Sequence, residues 1–160
     1  MIDAKKIGKK GINIKESFDI SIPKNFGAGE RAVVDFAGRL FQVDKPHFIL
    51  EGEGTSTLCA PCGLCLKNCE TDVSFAVSEN FVDESKDDIC EDDIIFHNGV
   101  IGILPAISRN LFNNIPMRFV CNDDCQGLCS MCGHNQNLGN CDCAPPVRSE
   151  FAELIGKFQD

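Results

Sequence analysis

The chain has 160 residues, 43% of them hydrophobic, with twelve Phe and neither Trp nor Tyr; that suffices for one domain with its own core and excludes a mini-protein dependent on cross-links. No apolar run follows the N-terminal lysines, which argues against a secretory signal or a membrane span, and eleven cysteines are far above the usual share of an intracellular protein. The net charge of −9 argues against broad nucleic-acid binding by the body of the protein.

Residues 1–30 read as a basic, loosely ordered arm with one strand, Ser17–Ile22, interrupted by Pro23 and the Asn25–Gly29 stretch. Lys5, Lys6, Lys9, Lys10 and Lys15 stand against Asp3, a balance of +4 over residues 1–15 that leaves −13 on the rest. The plain reading is a solvated terminus, yet any direct phosphate contact is expected from these lysines.

Residues 31–120 read as an α+β core. Val34, Phe36 and Leu40 share one parity, with Gly38 between them, and His47–Leu58 continues as a second strand beyond Asp44–Pro46. Val73, Phe75, Val77 and Phe81 alternate with Asp72, Ser74, Ser78 and Asn80, as in a strand with one buried face. The expected assembly is an antiparallel β-meander, with the Cys59–Cys69 run at the turn between its second and third strands. Residues 83–93, DESKDDICEDD, read as a solvated acidic loop, since they lack the glycine and terminal glutamate of a calcium loop. A short β segment around Ile94–Ile101 precedes a packing helix. Its stripe is Ile103, Leu104, Ile107, Leu111 and Ile115, Pro105 suits its first turn, and Pro116 stops it.

Residues 121–160 hold a cysteine-rich segment and then a terminal helix, Ser149–Phe158, with Phe151, Leu154, Ile155 and Phe158 on its apolar face. In a reducing cytoplasm, the expected location, dense cysteines mean metal ligands rather than disulfides. Cys129-Ser-Met-Cys132-Gly133 has the form of a zinc knuckle: two residues between thiolates let the backbone turn and aim both sulfurs at one ion, and the glycine tolerates the turn. Cys141 and Cys143 return eight residues later and complete a tetrad. Cys62 and Cys65 form another two-residue-gap pair, and Cys121 and Cys125 lack partners of their own, so these four make a second zinc site between the sheet turn and the C-terminal segment. Cys90 reads as structural or incidental, His47 and His97 as ordinary surface or core residues, and His134 as a reserve ligand that could replace Cys141 or Cys143.

Two other readings compete. Cys59, Cys62, Cys65 and Cys69 have the gaps of a [4Fe–4S] ferredoxin run, although Glu70 stands where proline usually follows; the alternative function is then a small electron carrier or redox sensor. A Cys62–Cys65 redox disulfide lacks the alternating strand–helix surroundings of a thioredoxin. No Ser–His–Asp set, Gly-rich phosphate loop or helical His pair is present, so the chain reads as non-catalytic.

The segment Cys121-Asn-Asp-Asp-Cys125-Gln-Gly-Leu-Cys129-Ser-Met-Cys132-Gly133, with Asn135, Asn137 and Cys141-Asp-Cys143, resembles the C-terminal signature of the YceD-like family, the large ribosomal RNA subunit accumulation proteins. Cys62-Gly-Leu-Cys65-Leu66 is similar to that family's Cys-x-Arg-Cys-Leu motif. The resemblance covers about residues 30–158. Leu64 stands in place of the family's arginine, Gln126 in place of its lysine and Ser130 in place of its proline, so two positive charges beside the metal are missing. Cys59 and Cys69 are outside the family pattern. The resemblance implies a role in large-subunit rRNA accumulation and ribosome assembly, with ribosomal RNA or a ribosomal or assembly protein as partner. The protein is expected to be a monomer, without a membrane or a small-molecule substrate.

Overall fold

A computed structural model describes residues 1–44, 46–86 and 89–143; the terminal helix expected at Ser149–Phe158 lies outside them. The strands are β1 (Ile2–Asp3), β2 (Ile12–Ser21), β3 (Arg31–Asp44), β4 (His47–Pro61), β5 (Asn68–Asp83), β6 (Ile94–Phe96) and β7 (Val100–Ile101), and the helix is α1 (Leu104–Asn114). β2 to β5 form the expected antiparallel meander within a five-stranded sheet ordered β2-β3-β4-β5-β6, and β1 and β7 form a separate two-stranded ladder.

The sheet has one apolar face. Val34, Phe36, Leu40, Leu50, Leu58, Val77 and Phe81 are buried, while the intervening positions are largely exposed, as a period of two requires. α1 packs on β5 and buries Ala106, Ile107 and Leu111. Ile103 is buried as its N-cap and Leu104 of the expected stripe is exposed, because Ala106 faces the sheet in its place. Glu79 on β5 accepts hydrogen bonds from the guanidinium of Arg109 and from the Asn110 amide, which fixes the helix along the strand.

The β3–β4 and β4–β5 ladders pack most closely where side chains are missing. Gly38 and Gly52 are opposite each other in the β3–β4 ladder, and the Phe36 ring covers both positions. Gly54 is covered in the same way by Phe75. Backbones and rings approach there more closely than a Cβ allows.

Three expectations are corrected. Residues 1–30 are not loosely ordered: β2 is ten residues long, Ile7, Ile14, Ile20 and Ile22 are buried, and β1 pairs with β7. Ile94–Ile101 is two strands in two sheets, separated at Asn98 and Gly99, both with positive φ; this Asn-Gly step suits a tight reversal. β6 pairs with β5 in parallel, so the sheet is mixed at that edge.

Candidate metal centres

β4 runs to Pro61 and β5 starts at Asn68, so the chain reverses over 62–67. Within that reversal Leu64 N–H donates to Cys62 Sγ at 3.4 Å, and Leu66 N–H donates to the Cys62 carbonyl at 2.9 Å. The same arrangement recurs further along: Met131 N–H donates to Cys129 Sγ at 3.4 Å, and Gly133 N–H to the Cys129 carbonyl at 2.9 Å. The two Cys-x-x-Cys segments are thus equivalent knuckles. The fifth position has φ 60° at Leu66 and 71° at Gly133.

Glycine adopts that left-handed backbone freely, whereas another L-residue costs roughly 1–2 kcal/mol there. The Leu66 side chain is mostly exposed and returns little by packing. Leu66→Gly should therefore raise stability by about 1 kcal/mol, read from the denaturation midpoint of the metal-loaded protein.

The structure brings the eight cysteines into two groups, Cys62, Cys65, Cys121 and Cys125, and Cys129, Cys132, Cys141 and Cys143. Within each, the sulfurs lie within 4.8 Å of one another. In the first, Cys62 Sγ is 3.9 Å from Cys125 Sγ and Cys65 Sγ is 3.7 Å from Cys121 Sγ. Four sulfurs around one ion with bonds of about 2.3 Å form a tetrahedron with edges of about 3.8 Å. A cluster of four irons and four sulfides would hold them further apart.

The first centre joins distant parts of the chain. Gly63 N–H donates to the Phe119 carbonyl at 2.8 Å, and Leu128 N–H to the Leu64 carbonyl at 3.0 Å. Gly127, with φ 72°, lets the backbone pass the Leu64 carbonyl, which a Cβ would meet at 3.1 Å. The second centre is local, spanning Cys129 to Cys143, and a Leu128–Asn135 bridge closes its base. Asn137 ties the two together: its amide donates to Cys125 Sγ at 3.4 Å, and its side-chain oxygen accepts from Gln126 N–H at 2.9 Å.

The sulfurs are not electrostatically equal. The backbone N–H groups of Cys65 and Leu64 lower Cys62 to about 6, and those of Cys132 and Met131 lower Cys129 to about 6. The hydrogen bond between its thiol and Cys125 pushes Cys121 up to about 12, and the one with Cys132 does the same to Cys143. Each knuckle therefore presents one stabilised thiolate, whereas Cys121 in the first group and both Cys141 and Cys143 in the second hold their protons more tightly than a free thiol. The donor set and its spacing fit a metal ion.

Cys59 and Cys69 join neither group, which corrects the ferredoxin-like assembly of Cys59, Cys62, Cys65 and Cys69. The hairpin strands extend past Leu58, so both residues lie in the ladder rather than the turn: Cys59 is opposite Glu70 and Cys69 opposite Ala60. Cys59 is exposed on the polar face, and the Cys69 thiol is directed at the Ala60 carbonyl, 3.4 Å away. Cys90 is exposed, with its backbone bonded to Asp93. His134 contributes its carbonyl to Cys129 N–H at 2.8 Å, while the second group consists of four cysteines. Sequence reasoning missed the supporting roles of Asn137 and Leu64; Asn137 carried a signal only as part of the family resemblance.

Among the described residues no helix is long and apolar enough to cross a membrane. No curated protein and no solved structure matches the chain. A family model, Large ribosomal RNA subunit accumulation protein YceD, matches residues 50–156, a span that starts in β4 and takes in all eight clustered cysteines. With more than half of its length matched, the chain belongs to the YceD family of large ribosomal RNA subunit accumulation proteins.

Proposed function

We propose that the chain is a non-catalytic, zinc-stabilised binding protein of the cytoplasm that acts in accumulation of the large ribosomal subunit, as a monomer whose partner is ribosomal RNA or a ribosomal or assembly protein. The observation that carries this reading is the pairing of eight cysteines into two tetrads inside the span matched by the family. Tetrahedral four-thiolate sites suit zinc, and four protein ligands leave no open position for substrate or water, which is the mark of a structural site. The ions would then shape a surface rather than perform a reaction. The strongly acidic body suits a basic ribosomal protein at least as well as RNA.

The metal test is elemental analysis of anaerobically purified protein. Two zinc ions per chain and a colourless solution are expected; iron with visible absorbance would overturn the zinc assignment. The functional test is sedimentation of a cell lysate through a gradient. The protein should travel with particles containing large-subunit rRNA, and a profile confined to the top of the gradient would defeat the reading.

A further inference from the structure

The N-terminal lysines belong to a folded surface. Ile7 is buried, the Ala4 backbone bonds to the Gly99 carbonyl at 2.8 Å, and Ala4–Lys6 forms a 3₁₀ turn whose cap is Asp3. Residues 8–11 then reverse the chain, with Gly11 N–H on the Gly8 carbonyl at 2.8 Å and φ 66° at Gly11. Arg39 of β3 clamps this reversal: both Nε, at 2.9 Å, and Nη2 donate to the Lys10 carbonyl, and the guanidinium lies over the Phe41 ring, 5.4 Å from its centre. Gly11 is pressed against β3 so closely that a Cβ would meet the Leu40 carbonyl at 2.6 Å.

The result is a fixed array in which Lys5, Lys6, Lys9, Lys10 and Arg39 are exposed. Among the described residues none of the four lysines is ion-paired. Asp3 and Asp83, at the same end, are occupied with the Lys5 backbone and with Ser85. The array adjoins the β3–β4 turn, so the length of β4 separates it from the metal centres at the β4–β5 turn. It also lies outside the matched residues 50–156.

We infer that this clamped basic turn is the surface through which the protein grips an RNA sugar-phosphate backbone, and that the metal lobe is not. The inference rests on the ribosomal reading above and narrows its partner. Four unpaired ammonium groups on an otherwise acidic molecule match closely spaced phosphates. Their fixed placement removes much of the ordering cost that a disordered lysine tail carries on binding. Arg39, occupied by the Lys10 carbonyl, acts as a positioning residue.

The test is fluorescence anisotropy of the full-length, metal-loaded chain with a labelled, protein-free 20-base-pair RNA duplex, titrated at several salt concentrations. Binding should weaken steeply with salt. The variant K5Q/K6Q/K9Q/K10Q should reduce the log–log salt slope by about 3.6 with an unchanged melting temperature. Arg39→Lys keeps the charge and loses the two-pronged clamp, so it should retain the slope and weaken binding about threefold. K67Q/R118Q, beside the metal lobe, should change neither. The inference is overturned if the lysine variant binds like the parent, if K67Q/R118Q accounts for the loss, or if the parent does not bind the duplex at low salt. In that last case co-sedimentation with ribosomal particles, lost in the lysine variant, would assign the array to an acidic protein and leave the proposed function standing.

Discussion

Cys121→Ser should lower the metal content from two ions per chain to one and release the segment that follows α1, while the meander stays folded. The first centre closes a loop between Cys65 and Cys121, and without an ion the lobe is held there by the Gly63–Phe119 and Leu64–Leu128 backbone hydrogen bonds and the burial of Phe119. A hydrogen bond contributes about 1 kcal/mol net, whereas a structural zinc site contributes on the order of 10 kcal/mol or more of apparent binding free energy. A bound ion would therefore dominate the attachment. Cys132→Ser should also lose one ion, but the second centre lies within residues 129–143 and its loss should leave residues 117–128 docked. Elemental analysis gives the ion count, and limited proteolysis with mass spectrometry locates the newly cleavable bonds. Equal protection of residues 117–128 in the two variants would contradict the assigned roles.

Gly52→Ala should cost about 3 kcal/mol of stability, although it adds one methyl group. An added Cβ would lie 2.6 Å from the Ala37 carbonyl oxygen, 2.6 Å from Gly38 Cα and 2.7 Å from Phe36 Cζ. Two of these are backbone atoms of the neighbouring strand, and Phe36 is only 1% exposed, so none can retreat freely. At about 2–4 °C per kcal/mol for a chain of this size, the melting temperature should fall by about 10 °C. Gly63→Ala is the contrast, because the nearest atom to its Cβ is Arg118 Nε at 3.2 Å, on a long side chain with room to swing. It should melt within about two degrees of the parent. Equal melting of the two variants would remove the account of why glycines stand at the close approach of β3 and β4.

Both tetrads were legible in the sequence because thiolate geometry is local at each knuckle: two residues between cysteines and a turn after them. Pairing Cys62 and Cys65 with Cys121 and Cys125 followed from matching half-sites. β5 was legible because Val73, Phe75, Val77 and Phe81 alternate cleanly, and α1 because its stripe has helical spacing between two prolines. The first half of β2 was hidden because Glu16 sits opposite Phe36 on the parity of Ile12 and Ile14 and breaks their alternation. The positions of Cys59 and Cys69 were lost with the strand ends, since no residue type marks where this hairpin ladder stops. The parallel pairing of β6 joins segments separated by the acidic loop, and local periodicity carries no information about such partners. The clamp of Arg39 on Lys10 is likewise a long-range contact that charge counting passes over.

Fifteen residues of β4 connect the basic turn to the metal lobe. At about 3.3 Å per residue they set a span on the order of 45 Å. For much of its length β4 is hydrogen-bonded on both sides, so the span is stiff in tension and resists buckling. The sheet is therefore a strut, and the separation between its two ends is a fixed property of the molecule. A ligand much shorter than that span cannot touch the basic turn and the metal lobe at once.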